Sequence, residues 1–462
     1  MEKIRKTLIG DRVFYRTVAT LVVPVIIQNA ITNFVSLLDN VMVGQVGTLQ
    51  MSGVAIANQL FFVFYLCVFG GISGAGIFTA QFYGAGDDEG VRNTFRFKIV
   101  TVVALLAVAL VVFLCWGGNL VSRYLTDTSD PAAVEATLGY SLEYIRIILW
   151  GLLPYSISCC YAGTLRETGE TMLPMKASLA AVLTNLCGNY ILIYGHLGFE
   201  AMGVRGAAIA TVLSRFVELF ILVFVTHRNK LRFRFLEGAW RTMAVPGALT
   251  KAIMLRGMPL LLNECLWAIG QAKLSQLYSM RGLSVIAAFN ISNTVADLFN
   301  VVFLSMGNAV AIMIGQALGA NEYERAKREV WQLIALSVGC CVIMGSLLAI
   351  FSNIIPRLYN TPVDVRALAG RFLRISAAFM GVNAFANSSY FALRSGGKTL
   401  ITFLFDSGFS WAVCVPVAAA LIYWTNASIS LIYAAVLATS ILKCIFGFIL
   451  IRKGVWIQNI VA

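Results

Sequence analysis

The sequence predicts an all-α integral membrane protein, with twelve transmembrane helices in two six-helix lobes related by a pseudo-twofold axis along the membrane normal. Three observations carry that prediction. Hydrophobic residues make up 59% of the 462 and charged residues 12%, where a soluble domain carries about 25% charge. Apolar runs long enough to span a bilayer recur along the whole chain. The stretch Val22 to Arg92 occurs twice at a constant offset of 235, which carries Pro24 to Pro259, Gly47 to Gly282, Asn58 to Asn293, Gln81 to Gln316 and Gly84-Ala85 to Gly319-Ala320. A related match pairs Leu165–Thr171 with Leu393–Thr399. Each identity is weak alone, and the unbroken register makes the repeat.

Spans are expected at roughly 16–43, 52–80, 94–121, 136–161, 171–194 and 204–226, then 251–280, 285–314, 330–354, 367–391, 399–424 and 428–451. An even number of helices per half brings both halves in from the same side, so the repeat is parallel. The boundaries that follow are 1–226 for the first lobe, 227–250 for a cytoplasmic linker and 251–462 for the second lobe. Most of the 35 Lys and Arg lie in the N-terminus, the even-to-odd connections and the C-terminal tail, which places both termini in the cytoplasm. The basic N-terminus precedes a long helix rather than a cleavage site, so no removable signal peptide is read. The net charge of +13 follows this topology. The linker cluster Arg228, Lys230, Arg232 and Arg234 reads as an orientation signal and lipid-headgroup contact, and no nucleic-acid partner is expected. The ten cysteines lie almost entirely in apolar segments without a CxxC, which argues against a disulfide framework or a metal cluster.

Helix one carries a polar face, with Gln28, Thr32, Ser36 and Asp39 at i, i+4, i+8 and i+11. An acid at membrane depth costs about 2.5–3.5 kcal/mol and is retained where it faces a cavity or a partner. Pro24, on the same helix, frees a carbonyl one turn earlier and marks a candidate hinge or a static bend. In helix two, Gly70, Gly71, Gly74 and Gly76 give a small-residue face for close packing. Phe61, Phe62, Phe64 and Tyr65 read first as core or lipid contact. Helix five places Asn185 and Asn189 one turn apart, and helix six begins Gly203 to Thr211. Asp39, Asn185, Asn189 and Thr211 share a depth in the outer half of the membrane. Their oxygens suit Na⁺ or a hydrogen-bonded carboxyl, unless Asn and Thr only cross-link helices. Arg215 and Glu218, at i, i+3, read as an internal ion pair.

In the second half, Glu264 lies near mid-depth of helix seven, and Asn290, Asn293, Asp297 and Asn300 form a polar face of helix eight. Gln28, Glu264, Asn293 and Asp297 are candidates to line a cavity that attracts cations. Lys273 is nine residues from Glu264, on the far side of the helix, so Asp297 is its expected partner. The run Ala392 to Thr399 loosely fits a phosphate loop, but a spanning helix precedes it and Glu170 replaces the lysine in the sister segment; it reads as a loop between helices ten and eleven.

The chain resembles the multidrug and toxic compound extrusion (MATE) family over nearly its full length. The residues are Pro24 with Gln28-Asn29; Asp39 to Gly47; Gln81 to Gly84; Leu165-Arg166 with Gly169; Asn185 through Tyr194-Gly195 to Gly206–Thr211; Asn263-Glu264; Gln316 to Gly319; Leu393 to Gly397; and Asp406 with Pro416. The resemblance implies a secondary exporter of organic cations and xenobiotics, in exchange for H⁺ or Na⁺, that works by alternating access. It implies that Asp39 is the coupling acid, as the carboxylate that takes the proton or Na⁺, with Asn185 and Thr211 as its neighbours. Glu264 matches an acid of some members. Two departures stand out: Asn189 replaces a second acid, and helix ten has Asn383 and Asn387 but no carboxylate. The expected function is thus a cation-coupled drug exporter of the plasma membrane, without a cofactor beyond the ion, acting as a monomer on small, cationic substrates. A lipid-linked oligosaccharide flippase is the nearest rival, though such proteins need basic cavity residues. A membrane-embedded enzyme or receptor is the rival from another class. Against an enzyme stands the lack of a catalytic motif, and against a receptor the repeat, which alternating access uses.

Overall fold

The computed structural model describes residues 8–125, 130–359 and 361–462; the basic residues Lys3, Arg5 and Lys6 fall outside them. Eleven helices among the described residues are long and apolar enough to cross a bilayer. A twelfth, Val363–Ser395, is equally long but more polar. In the first half they are α1 (Arg12–Gly44), α2 (Thr48–Ala85), α3 (Asp88–Ser122), α4 (Pro131–Glu167), α5 (Met172–Tyr194) and α6 (Val204–Arg228). In the second they are α7 (Gly247–Ser279), α8 (Leu283–Gly319), α9 (Tyr323–Phe351), α10 (Val363–Ser395), α11 (Thr399–Trp424) and α12 (Ile429–Arg452). The first helix of each half carries one interior proline, Pro24 and Pro259.

Local chemistry sets the helix ends. Asp130 caps α4, accepting from the Ala132 and Ala133 amides at 3.0 and 3.3 Å, with Pro131 at the first helical position. Gly195 ends α5 in the left-handed conformation, at φ 74°. Within α11, Leu404–Gly408 and Ser410–Cys414 are wound as wide π turns. Pro416 lacks the N–H that would close a regular turn there, and the wider winding accommodates it. The polarity of α10 follows from its surroundings: α8, α9 and α12 all pack against it, so little of it needs to match lipid.

The molecule divides into two compact units. One comprises the described part of Met1–Ile26, with Ala80–Asp87 and Ala252–Ala462; the other comprises Ile27–Thr79 and Asp88–Lys251. The repeat-based boundaries 1–226, 227–250 and 251–462 differ from these, for two reasons. The start of α1 inserts Phe14, Val18, Leu21 and Val22 into a core with Val310, Leu333 and Leu393. The end of α2 meets the end of α8 at backbone distance. A Cβ on Gly84 would lie 2.0 Å from the Gln316 carbonyl oxygen, and one on Gly319 would lie 1.9 Å from that of Gln81. A Cβ on Gly315 would lie 2.9 Å from that of Ala80, its own repeat equivalent. Reciprocal contacts between equivalent positions are the mark of a twofold axis. Gln81, wholly buried, donates to the Ser395 carbonyl at 2.8 Å and accepts from the Ile460 amide at 2.8 Å.

The linker is not a free loop. Phe233, Phe235, Leu236 and Ala239 are buried. Arg96 of α3 donates to the Gly238 and Ala239 carbonyls at 2.6 and 3.0 Å. Of the expected headgroup contacts, Arg232 instead pairs with Glu170. The small-residue face of α2 packs as expected: Gly71 meets Leu105 and Thr101 of α3, and Gly76 leaves room for Glu167, which pairs with the buried Lys98.

Candidate functional site

The first-half site is built by close helix approach. A Cβ on Gly188 would lie 2.9 Å from that of Ala210, and one on Gly206 2.5 Å from the Leu192 carbonyl oxygen. With no side chain at those points, α5 and α6 touch along their backbones, which sets Asn185 of α5 against Thr211 of α6. The end of α1 is then tied to α5. The Tyr194 hydroxyl donates to Gln45 Oε1 at 2.7 Å and to the Met42 carbonyl at 3.2 Å.

Asp39 sits in this frame, half-buried. Asn189 Nδ2 donates to Asp39 Oδ1 at 2.7 Å. With the Asn185 amide nitrogen turned to the carboxylate, it donates to both Asp39 oxygens at 2.9 and 3.0 Å, and its oxygen accepts from Thr211 at 3.2 Å; this orientation sets a donor against each acceptor. Asn189 Oδ1 is buried with no hydrogen-bond partner. An acceptor of that kind calls for a donor or a cation. The oxygens of Asp39, Asn189 and Thr211 are of the hard type that suits a proton or a hard cation. The structure thus brings together all four residues expected there: Asp39, Asn185, Asn189 and Thr211.

The second half holds a polar cluster that sequence reasoning did not assemble. Asp406, on the first wide turn of α11, accepts from Asn263 Nδ2 at 3.1 Å and from Lys443 Nζ of α12 at 2.5 Å. Ser407 donates its backbone N–H and its hydroxyl to Asn263 Oδ1 at 3.2 and 2.9 Å. Asn263 is also 3.4 Å from the Tyr390 hydroxyl. Glu264 faces this cluster, beside Tyr390 and in the field of Arg394 and Asp406. Asp406 entered the sequence reading only through the resemblance, and Lys443 not at all. The usable signal was a charge within each of two apolar helices, since charges at depth call for partners.

Lys273 corrects an expectation. It donates to Gln276 at 3.0 Å on an exposed face rather than to Asp297, because the ammonium reaches the nearest acceptor on its own helix turn. Asp297 is exposed, within hydrogen-bonding reach of Asn300, and Asn293 is half-buried on the same helix. Gln28 is half-buried on α1, where its carbonyl accepts from Thr32 at 2.8 Å. Among the described residues, no hydrogen bond or ion pair joins Asn293 or Asp297 to the Asn263–Asp406 cluster. Pro24 lies inside an unbroken α1.

Comparison with known proteins agrees with this architecture. The MatE family model matches residues 24–191 and 259–419. The chain is 26% identical over 446 residues, 94% of this chain and 93% of the relative, to the probable multidrug resistance protein YoeA of Bacillus subtilis. It is 24% identical over 448 residues, covering 94% of this chain and 92% of the relative, to the probable multidrug resistance protein NorM of Thermotoga maritima. Its fold matches the crystal structure of a MATE protein in complex with MaL6, with a TM-score of 0.84 and 19% identity over 98% of both chains. An outward-facing MATE transporter of the MOP superfamily matches with a TM-score of 0.82 and 20% identity, over 97% of this chain and 96% of that one.

Proposed function

The chain belongs to the MatE family, and from that premise we propose that it is a secondary exporter of the bacterial plasma membrane, expelling organic cations and other xenobiotics in exchange for H⁺ or Na⁺. The multidrug resistance names of its relatives support the substrate class. The observation that carries the coupling half is the Asp39 site, where one carboxylate meets two amide donors beside an orphaned buried acceptor. Neutralising Asp39 there is a local electrostatic switch, and Pro24 gives the same helix a place to bend. Ion and substrate then favour opposite-facing states, so each drives out the other. Glu264 and the half-buried Asp406 supply negative charge for a cationic substrate in the second half, with Asn293 and Asp297 as further cavity candidates there and Gln28 as a candidate in the first half. The deciding experiment is uptake of a fluorescent cation into proteoliposomes, with pH and Na⁺ gradients imposed separately. Transport driven by one gradient names the ion. No transport under either gradient rejects the exporter reading.

Two further results are expected. Asn229 is exposed just beyond α6, on the side assigned to the cytoplasm. A cysteine there, in a cysteine-depleted background, should be protected from an impermeant thiol reagent added to intact cells. Ready labelling would reverse the orientation of both termini. Glu264→Gln should weaken organic cations more than neutral substrates, because a charge-assisted contact contributes about 1.5–3 kcal/mol, or roughly one to two decades in affinity. Equal losses for the two classes, at normal expression, would assign Glu264 to packing.

A further inference from the structure

We infer that Lys443 is a tethered cation: it fills a carboxylate site in the second half and keeps the mobile coupling ion from binding there. The site is built by α7, α11 and α12, the repeat counterparts of α1, α5 and α6, which build the Asp39 site. Acid and amide have exchanged helices, with Asp406 on α11 and Asn263 on α7. Asp406 Oδ2 accepts from Asn263 Nδ2 at 3.1 Å, much as Asp39 accepts from the amides of α5. Asp406 Oδ1 accepts from Lys443 Nζ of α12 at 2.5 Å. The ammonium is a compact point charge, and it stands where a small cation would stand against the carboxylate. All three residues lie in the unit that holds Ala252–Ala462.

A buried pair can serve only to join two helices. The repeat points beyond that. At the offset of 228 that joins Leu165–Thr171 to Leu393–Thr399, α6 runs onto α12: Ala207 falls on Ala435, Ala210 on Ala438, Thr211 on Thr439, and Phe220-Ile221-Leu222 on Phe448-Ile449-Leu450. Arg215 then falls on Lys443, so the last helix of each half carries a cation one turn after its threonine. The two differ in the acid that answers them. Arg215 pairs with Glu218 on its own helix at 3.3 Å, and Asp39 is left to the amides of Asn185 and Asn189. Glu218 falls on Phe446, so Lys443 has no acid one turn along and crosses to α11 for Asp406. The two side chains are only 18% and 21% exposed, and without the ammonium Asp406 would be an uncompensated charge at depth. The Oδ2 edge of Asp406 still turns to α7, where Glu264 follows Asn263, and its field reaches a substrate held there. What Lys443 denies is room for an ion.

This deepens the exporter reading by naming the residue that limits its ion sites, and its test is equilibrium binding, which needs no transport. Two quantities are counted on purified protein: radioactive Na⁺ bound per chain, and protons taken up between about pH 8.5 and about pH 6, a window clear of ordinary Asp and Lys. The other titratable groups around the pair, Glu264, Tyr390, Arg394 and Cys414, stay the same in every variant. Lys443→Met should gain about one cation per chain over wild type, as Na⁺ or as a proton, because a buried acid stripped of its partner takes another. The gain should persist when Asp39→Asn is added and vanish when Asp406→Asn is added. The neutral pair, Asp406→Asn with Lys443→Met, should bind as many cations as wild type. A Lys443→Met protein that melts like wild type and gains no cation would overturn the proposal. A neutral pair that binds one fewer than wild type would do the same, since Asp406 would then hold a mobile ion in the native protein. If Lys443→Met does not fold, Lys443→Gln takes its place with the same expected gain, and the neutral pair decides alone if that variant fails too. Wild-type liposomes that export no cation under either gradient, beside the expected counts, would sink the exporter reading and leave the role of Lys443 standing.

Discussion

An Asp39→Asn protein is expected to bind organic cations and yet export none of them against a gradient. The substitution keeps the shape of the side chain and fixes it in the neutral state. Two terms decide whether it still folds. The new amide nitrogen faces the donors of Asn185 and Asn189, so one or two interhelical hydrogen bonds are lost, at about 0.6 kcal/mol each. Removing a charge from membrane depth returns about 2.5–3.5 kcal/mol of insertion cost. The second term is larger, so normal expression and a normal melting temperature are expected. What disappears is the change of state. A side chain that cannot be charged cannot distinguish a high from a low ion concentration, and an ion without differential affinity shifts no equilibrium. Gradient-driven efflux should therefore fall to the level of protein-free liposomes, while cation binding in the same preparation survives. Efflux at the wild-type rate would exclude Asp39 as the coupling site and turn attention to Glu264, Asp297 and Asp406.

Gly319→Ala should prevent the formation of a stable protein. The added methyl would lie 1.9 Å from the Gln81 carbonyl oxygen, and both sides of that contact are backbone. A flexible side chain could swing away; two crossing helices cannot separate without pulling Gln81 from Ser395 and Ile460. Overpacking of this kind costs about 3 kcal/mol or more. Gly84→Ala should behave alike, since its Cβ would lie 2.0 Å from the Gln316 carbonyl oxygen. Gly118 and Gly339 are the controls: both are helical, and a Cβ on either meets nothing within 4 Å. Alanine there should be neutral or stabilise by about 0.5–1 kcal/mol. Monodisperse yield and melting temperature measure all four. Gly319→Ala with a wild-type melting temperature would show that the crossing is looser than the reciprocal contacts require.

The sequence by itself determined the number of spans, the parallel repeat, and the depth of each polar residue along its helix. These are properties of order along a chain: apolar run length, offset and period survive without knowledge of neighbours. The α1 polar face and the one-turn spacing of Asn185 and Asn189 were legible for that reason, and so was their common depth with Thr211. Rotation about each helix axis and choice of neighbour were not legible, because packing fixes both, and only the tertiary structure decided them. It turned Asn185 and Asn189 onto Asp39 through glycines at 188 and 206 that let α5 and α6 touch. It gave Asp406 to Lys443 and Asn263 across three helices, and left Lys273 to Gln276. It also assigned the start of α1 and the end of α2 to the unit that holds Ala252–Ala462, across the boundary that the repeat suggests. Hydrophobic burial and hydrogen-bond pairing act between surfaces that meet in space, and a linear pattern records only what each surface carries.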